Sequence, residues 1–181
     1  MKIAFIGMMG SGKTELGRML AAHYGVHFFD LDHVIEEQYQ MKIANLFRDS
    51  GEHYFRDIEE NSLQMLAKGD VPMILGCGGG VVLRDSNRLT LKKYFITVWL
   101  DVPLPELQRR LSAEREYRPL LSSDNWAVDL KNIFQQRRKL YRDTAIIQYT
   151  WQQNQSLEES AEIIEKLLTD AKKAKIIMDD S

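Results

Sequence analysis

One cysteine, Cys77, stands in 181 residues, which rules out a disulfide framework and a cysteine-ligated metal site. Prolines number only four, and no Pro/Ser-rich linker, low-complexity tract or internal repeat divides the chain. This length fits one domain, whose core needs no staples. No apolar run approaches the ~20 residues of a membrane span. The apolar stretch at residues 2–7 is too short for a signal-peptide core, and a glycine loop follows where a cleavage site would stand. The cytoplasm is therefore the expected compartment, with no membrane partner. A net charge of only −2 argues against a general nucleic-acid binder but leaves room for a local basic pocket. There is no long heptad pattern, so a monomer is expected.

What the chain does have begins near its start. Gly7-Met8-Met9-Gly10-Ser11-Gly12-Lys13-Thr14 follows the apolar run Ile3–Ile6 and precedes an amphipathic run from Glu15 to His23. Strand, glycine loop and helix is the order a phosphate-binding loop requires. The glycines permit a tight loop with its backbone N–H groups turned inward. Those donors and the helix N-terminus hold a polyphosphate. Lys13 supplies a point charge for the β and γ phosphates, and Thr14 offers a hydroxyl to Mg²⁺. Binding of ATP or GTP follows, with Gly10, Ser11 and Gly12 shaping the loop.

Further along, short apolar runs alternate with helical patterns. Strands are expected at 3–6, 26–29, 73–75, 95–100 and 145–149. Helices are expected near 13–24, 31–39, 43–49, 52–68, 84–93, 104–112, 126–143 and 156–174. This alternation implies an α/β domain with a parallel sheet covered on both faces. Ligands in such sheets bind beyond the carboxyl ends of the strands. The domain is expected over 1–170, with 171–181 a tail that either extends the last helix or is disordered.

Several further segments carry chemistry. Asp30-Leu31-Asp32 ends the second strand, and residues two apart there face the same way. One carboxylate suits a water-mediated hold on Mg²⁺ and the other suits a base for an acceptor hydroxyl; either also suits a helix cap. Arg56 and Glu59, three apart, share a helix face. They make either a surface ion pair or a fixed guanidinium fork that grips a carboxylate. Gly78-Gly79-Gly80 is entropically costly and marks either a turn or a close approach of backbone to ligand. Arg118-Pro119-Leu120-Leu121, with Arg109, Arg110 and Arg115 upstream, reads as a solvated loop or as a lid over the nucleotide. Arg137-Arg138-Lys139-Leu140-Tyr141 lies on the penultimate helix, with Leu130, Phe134, Leu140 and Tyr141 as its apolar side.

Taken in order, Gly-x4-Gly-Lys-Thr, Phe-x-Asp-x-Asp (28–32), Gly-Glu-x-x-Phe-Arg-x-x-Glu (51–59), Gly-Gly-Gly (78–80), Arg-Pro-Leu-Leu (118–121) and Arg-x-x-Leu-Tyr (137–141) resemble shikimate kinase over about residues 1–168. The resemblance implies a P-loop fold of the nucleoside-monophosphate-kinase type, with a five-stranded parallel sheet in the order 2-3-1-4-5. It implies transfer of the γ-phosphoryl of ATP to the 3-hydroxyl of shikimate, a step of aromatic amino acid biosynthesis. Lys13 and the loop amides would hold the phosphates. Thr14 would ligate Mg²⁺, and Asp30 would contact it through water. Asp32 would bind the shikimate hydroxyls and act as base. Arg56 and Arg137 would clamp the carboxylate, with Phe55, Gly79 and Gly80 lining the acceptor site within the 31–60 segment and beyond it, and Glu59 would steady Arg56. Arg118, on a lid at 113–123, would reach the γ-phosphate, and Arg110 or Arg109 would stack on adenine.

The chain departs from the pattern in two places. Lys139 stands where many relatives have proline, and the Arg110–Arg118 segment is slightly long. Two alternatives share the features. One is a gluconate-type or nucleotide kinase of the same architecture, although Gly76–Gly80 replaces the Asp-Gly-x-Pro-Arg type segment usual in nucleotide kinases. The other is a nucleotide-binding regulator without catalysis, which the joint presence of Lys13, Asp32, Arg56, Arg118 and Arg137 argues against.

Overall fold

The computed structural model describes residues 1–112 and 125–179. Among these, β1 (Lys2–Ile6), β2 (His27–Asp30), β3 (Met73–Gly76), β4 (Ile96–Asp101) and β5 (Ile147–Thr150) form one sheet. All its pairings are parallel, in the order β2-β3-β1-β4-β5. The central strand explains the layering. Ile3, Ala4, Phe5 and Ile6 are fully buried, as the middle strand of a sheet covered on both faces requires. Alternation sends Ile3 and Phe5 to one face and Ala4 and Ile6 to the other.

Helices α1 (Lys13–Tyr24) and α7 (Leu157–Asp179) cover the first face through Leu16, Leu20, Ile164 and Leu168. On the second face lie α2 (Leu31–Tyr39), α3 (Ile43–Lys68), α4 (Asp85–Tyr94), α5 (Leu104–Leu111) and α6 (Trp126–Thr144). Their contributions include Leu63, Leu91, Leu107 and Tyr141. A short 3₁₀ turn spans Val81–Leu83. Full burial of each such side chain stabilises the domain by about 1.5–3 kcal/mol. No helix among the described residues is long and apolar enough to cross a membrane.

The structure differs from the sequence reading at several element ends. The helices expected at 43–49 and 52–68 form one rod interrupted at Gly51, whose φ of 80° and ψ of 167° are not helical. β2 runs one residue further, so Asp30 is both its last residue and the cap of α2. β5 begins at Ile147, two residues later than expected. α7 continues to Asp179 instead of ending near 174, since residues 171–179 hold no glycine or proline to stop it. The α6 face is as expected at Leu130 and Tyr141, but Phe134 and Leu140 are only half-buried, and Arg137 takes a buried place. The expected lid at 113–123, with Arg115 and Arg118, lies outside the described residues.

Strand register gathers the functional segments. Phe5 and Asp30 both pair with Gly76, so the loops after β1, β2 and β3 leave the sheet side by side.

Candidate active site

The loop after β1 turns tightly into α1. Ser11 donates its N–H to Met8 O at 3.2 Å, and Gly12 caps the helix at φ 90°, a left-handed value that favours glycine. Lys13 folds over this loop, and its Nζ donates to Gly7 O at 3.0 Å, Met8 O at 2.7 Å and Ser11 Oγ at 3.3 Å. Next in sequence, Thr14 Oγ1 donates to Asp30 Oδ2 at 3.1 Å. The other oxygen of Asp30 accepts the Asp32 N–H at 3.1 Å. Asp30 therefore caps α2 and also faces the threonine of the phosphate loop.

Of the two candidate arginines on α5, Arg110 meets the loop. Its Nη1 donates to Gly10 O at 3.1 Å, its Nε donates to Glu106 Oε1 at 2.7 Å, and its guanidinium lies 5.3 Å from the Trp151 ring centre. Arg109 turns to the surface, also paired to Glu106, with 72% of its side chain exposed. Arg109 foremost, and Arg110 with it, pull the Glu106 carboxyl down to about 2.

Across the cleft, α3 presents Arg56 after the Gly51 break. Its Nη1 donates to Glu59 Oε2 at 2.7 Å, and its Nε and Nη2 donate to Glu52 Oε1 at 3.2 and 3.0 Å. Phe55 and Phe47 flank the guanidinium, 5.0 and 5.9 Å from it to the ring centres. Glu59 is fully buried, and desolvation raises its carboxyl above the ordinary value against the pull of Arg56 and Arg137. One Glu59 oxygen, Oε1, and the Nε of Arg137 are buried without a hydrogen-bond partner.

The three glycines after β3 pass through this cluster, and two of them, Gly78 and Gly80, leave no room for a side chain. A Cβ on Gly80 would overlap the Arg56 guanidinium, 2.5 Å from Cζ, and one on Gly78 would stand 2.6 Å from Asp32 Oδ1. At Gly79 a Cβ would come 3.7 Å from Arg137 Nη1. The Gly79 carbonyl accepts the Tyr141 hydroxyl, which ties the loop after β3 to α6 one turn beyond Arg137. Close approach of backbone to side chains is thus the reason for glycine at 78 and 80.

The phosphate loop, Asp30, Asp32, Arg56, Glu59, Gly78–Gly80, Arg110 and Arg137 line one cleft of about 1150 Å³. Burial above all, then the carboxylates of Asp30 and Glu59, push the Asp32 carboxyl up to about 7, although Lys13 and Arg56 pull it the other way. A carboxylate with that value is matched to taking a proton near neutral pH. Burial also pushes the Cys77 thiol up, so it stays protonated beside the site. The hydroxyl of Thr14 and the carboxylate of Asp30 are hard oxygen donors at the helix end of a phosphate loop. They fit Mg²⁺, which takes one or two protein oxygens together with phosphates and water.

The structure brings together Gly10, Ser11, Gly12, Lys13, Thr14, Asp30, Asp32, Phe55, Arg56, Glu59, Gly79, Gly80, Arg110 and Arg137 around this cleft. Arg118 lies outside the described residues. Glu52, present in the 51–59 motif without an assigned role, joins the site by accepting from Arg56, as its i, i+4 spacing signals. Phe47 and Trp151 carry no sequence signal and are brought to the site only by the fold, and Tyr141, expected on the apolar side of its helix, also bonds Gly79 O.

Residues 9–170 match the family model described as shikimate kinase. The shikimate kinase of Dictyoglomus turgidum is 35% identical over 170 residues, 93% of this chain and 98% of the relative. A solved shikimate kinase from Acinetobacter baumannii in complex with shikimate matches with a TM-score of 0.85 and 33% identity, covering 93% of each chain. A deoxyadenosine kinase from M. mycoides with bound dATP, 15% identical, covers 93% of this chain and 100% of its own with a TM-score of 0.59. That likeness is one of fold alone.

Proposed function

The chain belongs to the shikimate kinase family, and on that premise we propose that its site transfers the γ-phosphoryl of ATP to the 3-hydroxyl of shikimate, giving shikimate 3-phosphate and ADP. One juxtaposition carries the reading. Two buried arginines, Arg56 and Arg137, and the carboxylate of Asp32 meet around Gly78–Gly80 in the same cleft as the phosphate loop. A small polyhydroxy acid offers one carboxylate to the arginines and several hydroxyls to the aspartate.

In this reading the loop amides and Lys13 hold the β and γ phosphates, Lys13 exchanging its loop carbonyls for phosphate oxygens. Thr14 would ligate Mg²⁺, and Asp30 would hold one of its waters. Held there, Mg²⁺ would supply positive charge that offsets the charge of the phosphates. Arg56, braced by Glu52 and Glu59, and Arg137 fix the acceptor carboxylate bidentately. Asp32 accepts the proton of the attacking hydroxyl. Arg118 adds positive charge at the transferring group, where a loose transition state needs it, and Arg110 stacks on the base.

ADP release with ATP plus shikimate, gluconate or AMP as acceptor tests the assignment. Shikimate alone should stimulate release. A preference for gluconate or AMP, or no stimulation at all, contradicts it.

Arg56→Lys and Arg137→Lys keep a charge but lose the fork. Each is expected to raise the KM for shikimate by about 10- to 100-fold, the worth of one charge-assisted contact, with little change for ATP. Gly80→Ala should reach the same result without changing a charged residue, because its methyl would overlap the Arg56 guanidinium and push it out of its pairs with Glu52 and Glu59. At φ −95° the backbone accepts alanine, so the new methyl acts only by displacing Arg56. Steady-state kinetics with each substrate varied checks both, and equal weakening of ATP and shikimate would point to misfolding instead.

A further inference from the structure

We propose that Tyr141 is a positioning residue for the acceptor: its hydroxyl holds the Gly79–Gly80 peptide in the orientation that turns the Gly80 N–H toward the acceptor carboxylate, beside Arg56 and Arg137. The role rests on the reading of the cleft as a shikimate site.

Tyr141 itself is 1% exposed and lies behind the cleft wall, whose residues include Gly79, Gly80, Arg56 and Arg137. Its ring stacks on Trp99 of β4, with 6.2 Å between ring centres and 25° between planes, so the hydroxyl is a fixed point. Burial foremost pushes that hydroxyl up, against the pull of Arg137, so it keeps its proton and donates. It has one proton and two acceptors nearby, Gly79 O and, at 3.7 Å, Met8 Sδ. A thioether is the weaker acceptor, so the proton goes to the carbonyl.

The consequence lies at the other end of that peptide. No peptide bond among the described residues is cis, and in a trans peptide the C=O and N–H point in opposite directions. With Gly79 O fixed on Tyr141, the Gly80 N–H points away from it. A Cβ on Gly80 would stand 2.5 Å from Arg56 Cζ and one on Gly79 3.7 Å from Arg137 Nη1, so the peptide sits between the two arginines. Among the described residues, the bonds of this turn run from Val81 N to Gly78 O at 3.1 Å and from Leu83 N to Gly80 O at 3.0 Å, and the Gly80 N–H enters neither. A peptide between two glycines does not hold its own orientation. Turning it over would carry Gly80 from φ −95° to a positive φ, which glycine adopts about as readily. The turned peptide would present its carbonyl to the acceptor carboxylate and repel it. The Tyr141 hydrogen bond selects between the two.

NMR of protein labelled with ¹⁵N- and ¹³C-carbonyl-glycine tests this, because Gly79 and Gly80 are the only glycines that follow a glycine. Saturating shikimate should move one of these two amide protons downfield in wild type, and methyl shikimate, which lacks the carboxylate charge, should move it less. In Tyr141→Phe the shift should shrink. Shikimate should then bind about 3- to 10-fold more weakly, the share lost to the turned peptide, with ATP affinity unchanged and a smaller loss for methyl shikimate. The dispersion of the glycine signals reports whether the variant is folded. Shikimate bound to wild type without such a shift overturns the proposal on its own. So does a variant with undiminished shift and affinity, or one weakened equally for shikimate, its methyl ester and ATP. Those results leave the proposed function standing, whereas a wild type that binds no shikimate would sink the function itself.

Discussion

Asp32→Asn is expected to lower turnover by roughly two to four orders of magnitude, the usual size of general-base catalysis, while shikimate affinity falls far less. Asparagine keeps the shape and can still bond the acceptor hydroxyls, but it cannot take a proton. The wild-type pH profile should carry the same signature. With the Asp32 carboxyl pushed up to about 7 by burial and by Asp30 and Glu59, kcat/KM for shikimate should fall as pH drops through that value, and the variant should lose this limb. Stability should move the opposite way. A carboxyl raised in the folded state contributes stability that is fully present below its unfolded value of 3.8 and is lost as pH rises through about 7. Denaturation at pH 8 should therefore find Asp32→Asn more stable than wild type, with the gap closing toward pH 4. A fully active variant, or a stability gap that widens on acidification, would remove Asp32 as the buried base.

Lys13→Ala should cost about 10²- to 10³-fold in turnover, as removal of one preorganised donor from a transferring group does, with a raised KM for ATP. The fold should tolerate it. Lys13 donates to two loop carbonyls and a hydroxyl at the cleft wall, where water can replace the ammonium, so the stability loss should be about 1 kcal/mol. Kinetics and thermal unfolding on the same preparation separate these effects. Retention of most activity, or collapse of the fold, would each contradict the phosphate role.

How much of this was readable beforehand depended on how local the signal is. The phosphate loop lies within one strand–turn–helix unit, and Gly12 adopts the left-handed backbone its position demands. Arg56 and Glu59 sit one helical turn apart, so their pairing follows from spacing. For Asp30, spacing left two roles open, and the geometry realises capping together with contact to Thr14. The strand order and the place of Arg137 came only from the resemblance to a family, because parallel neighbours are set by crossovers that no local pattern encodes. Trp151 under Arg110 and Tyr141 on Gly79 join residues distant in sequence and have no local signature. Gln40 is another case, since it takes a left-handed φ of 51° to end α2 where glycine would be expected. Close by, Lys42 at the N-cap of α3 makes no side-chain cap bond, and Glu36 from α2 accepts the Ile43 N–H instead.

The most direct test of the central claim is mass spectrometry of the acceptor after incubation with ATP and Mg²⁺. Shikimate should gain one phosphoryl group, matched mole for mole by ADP, and Asp32→Asn should slow both together. ADP appearing without phosphorylated shikimate, or shikimate recovered unchanged from folded, nucleotide-bound protein, would contradict the account.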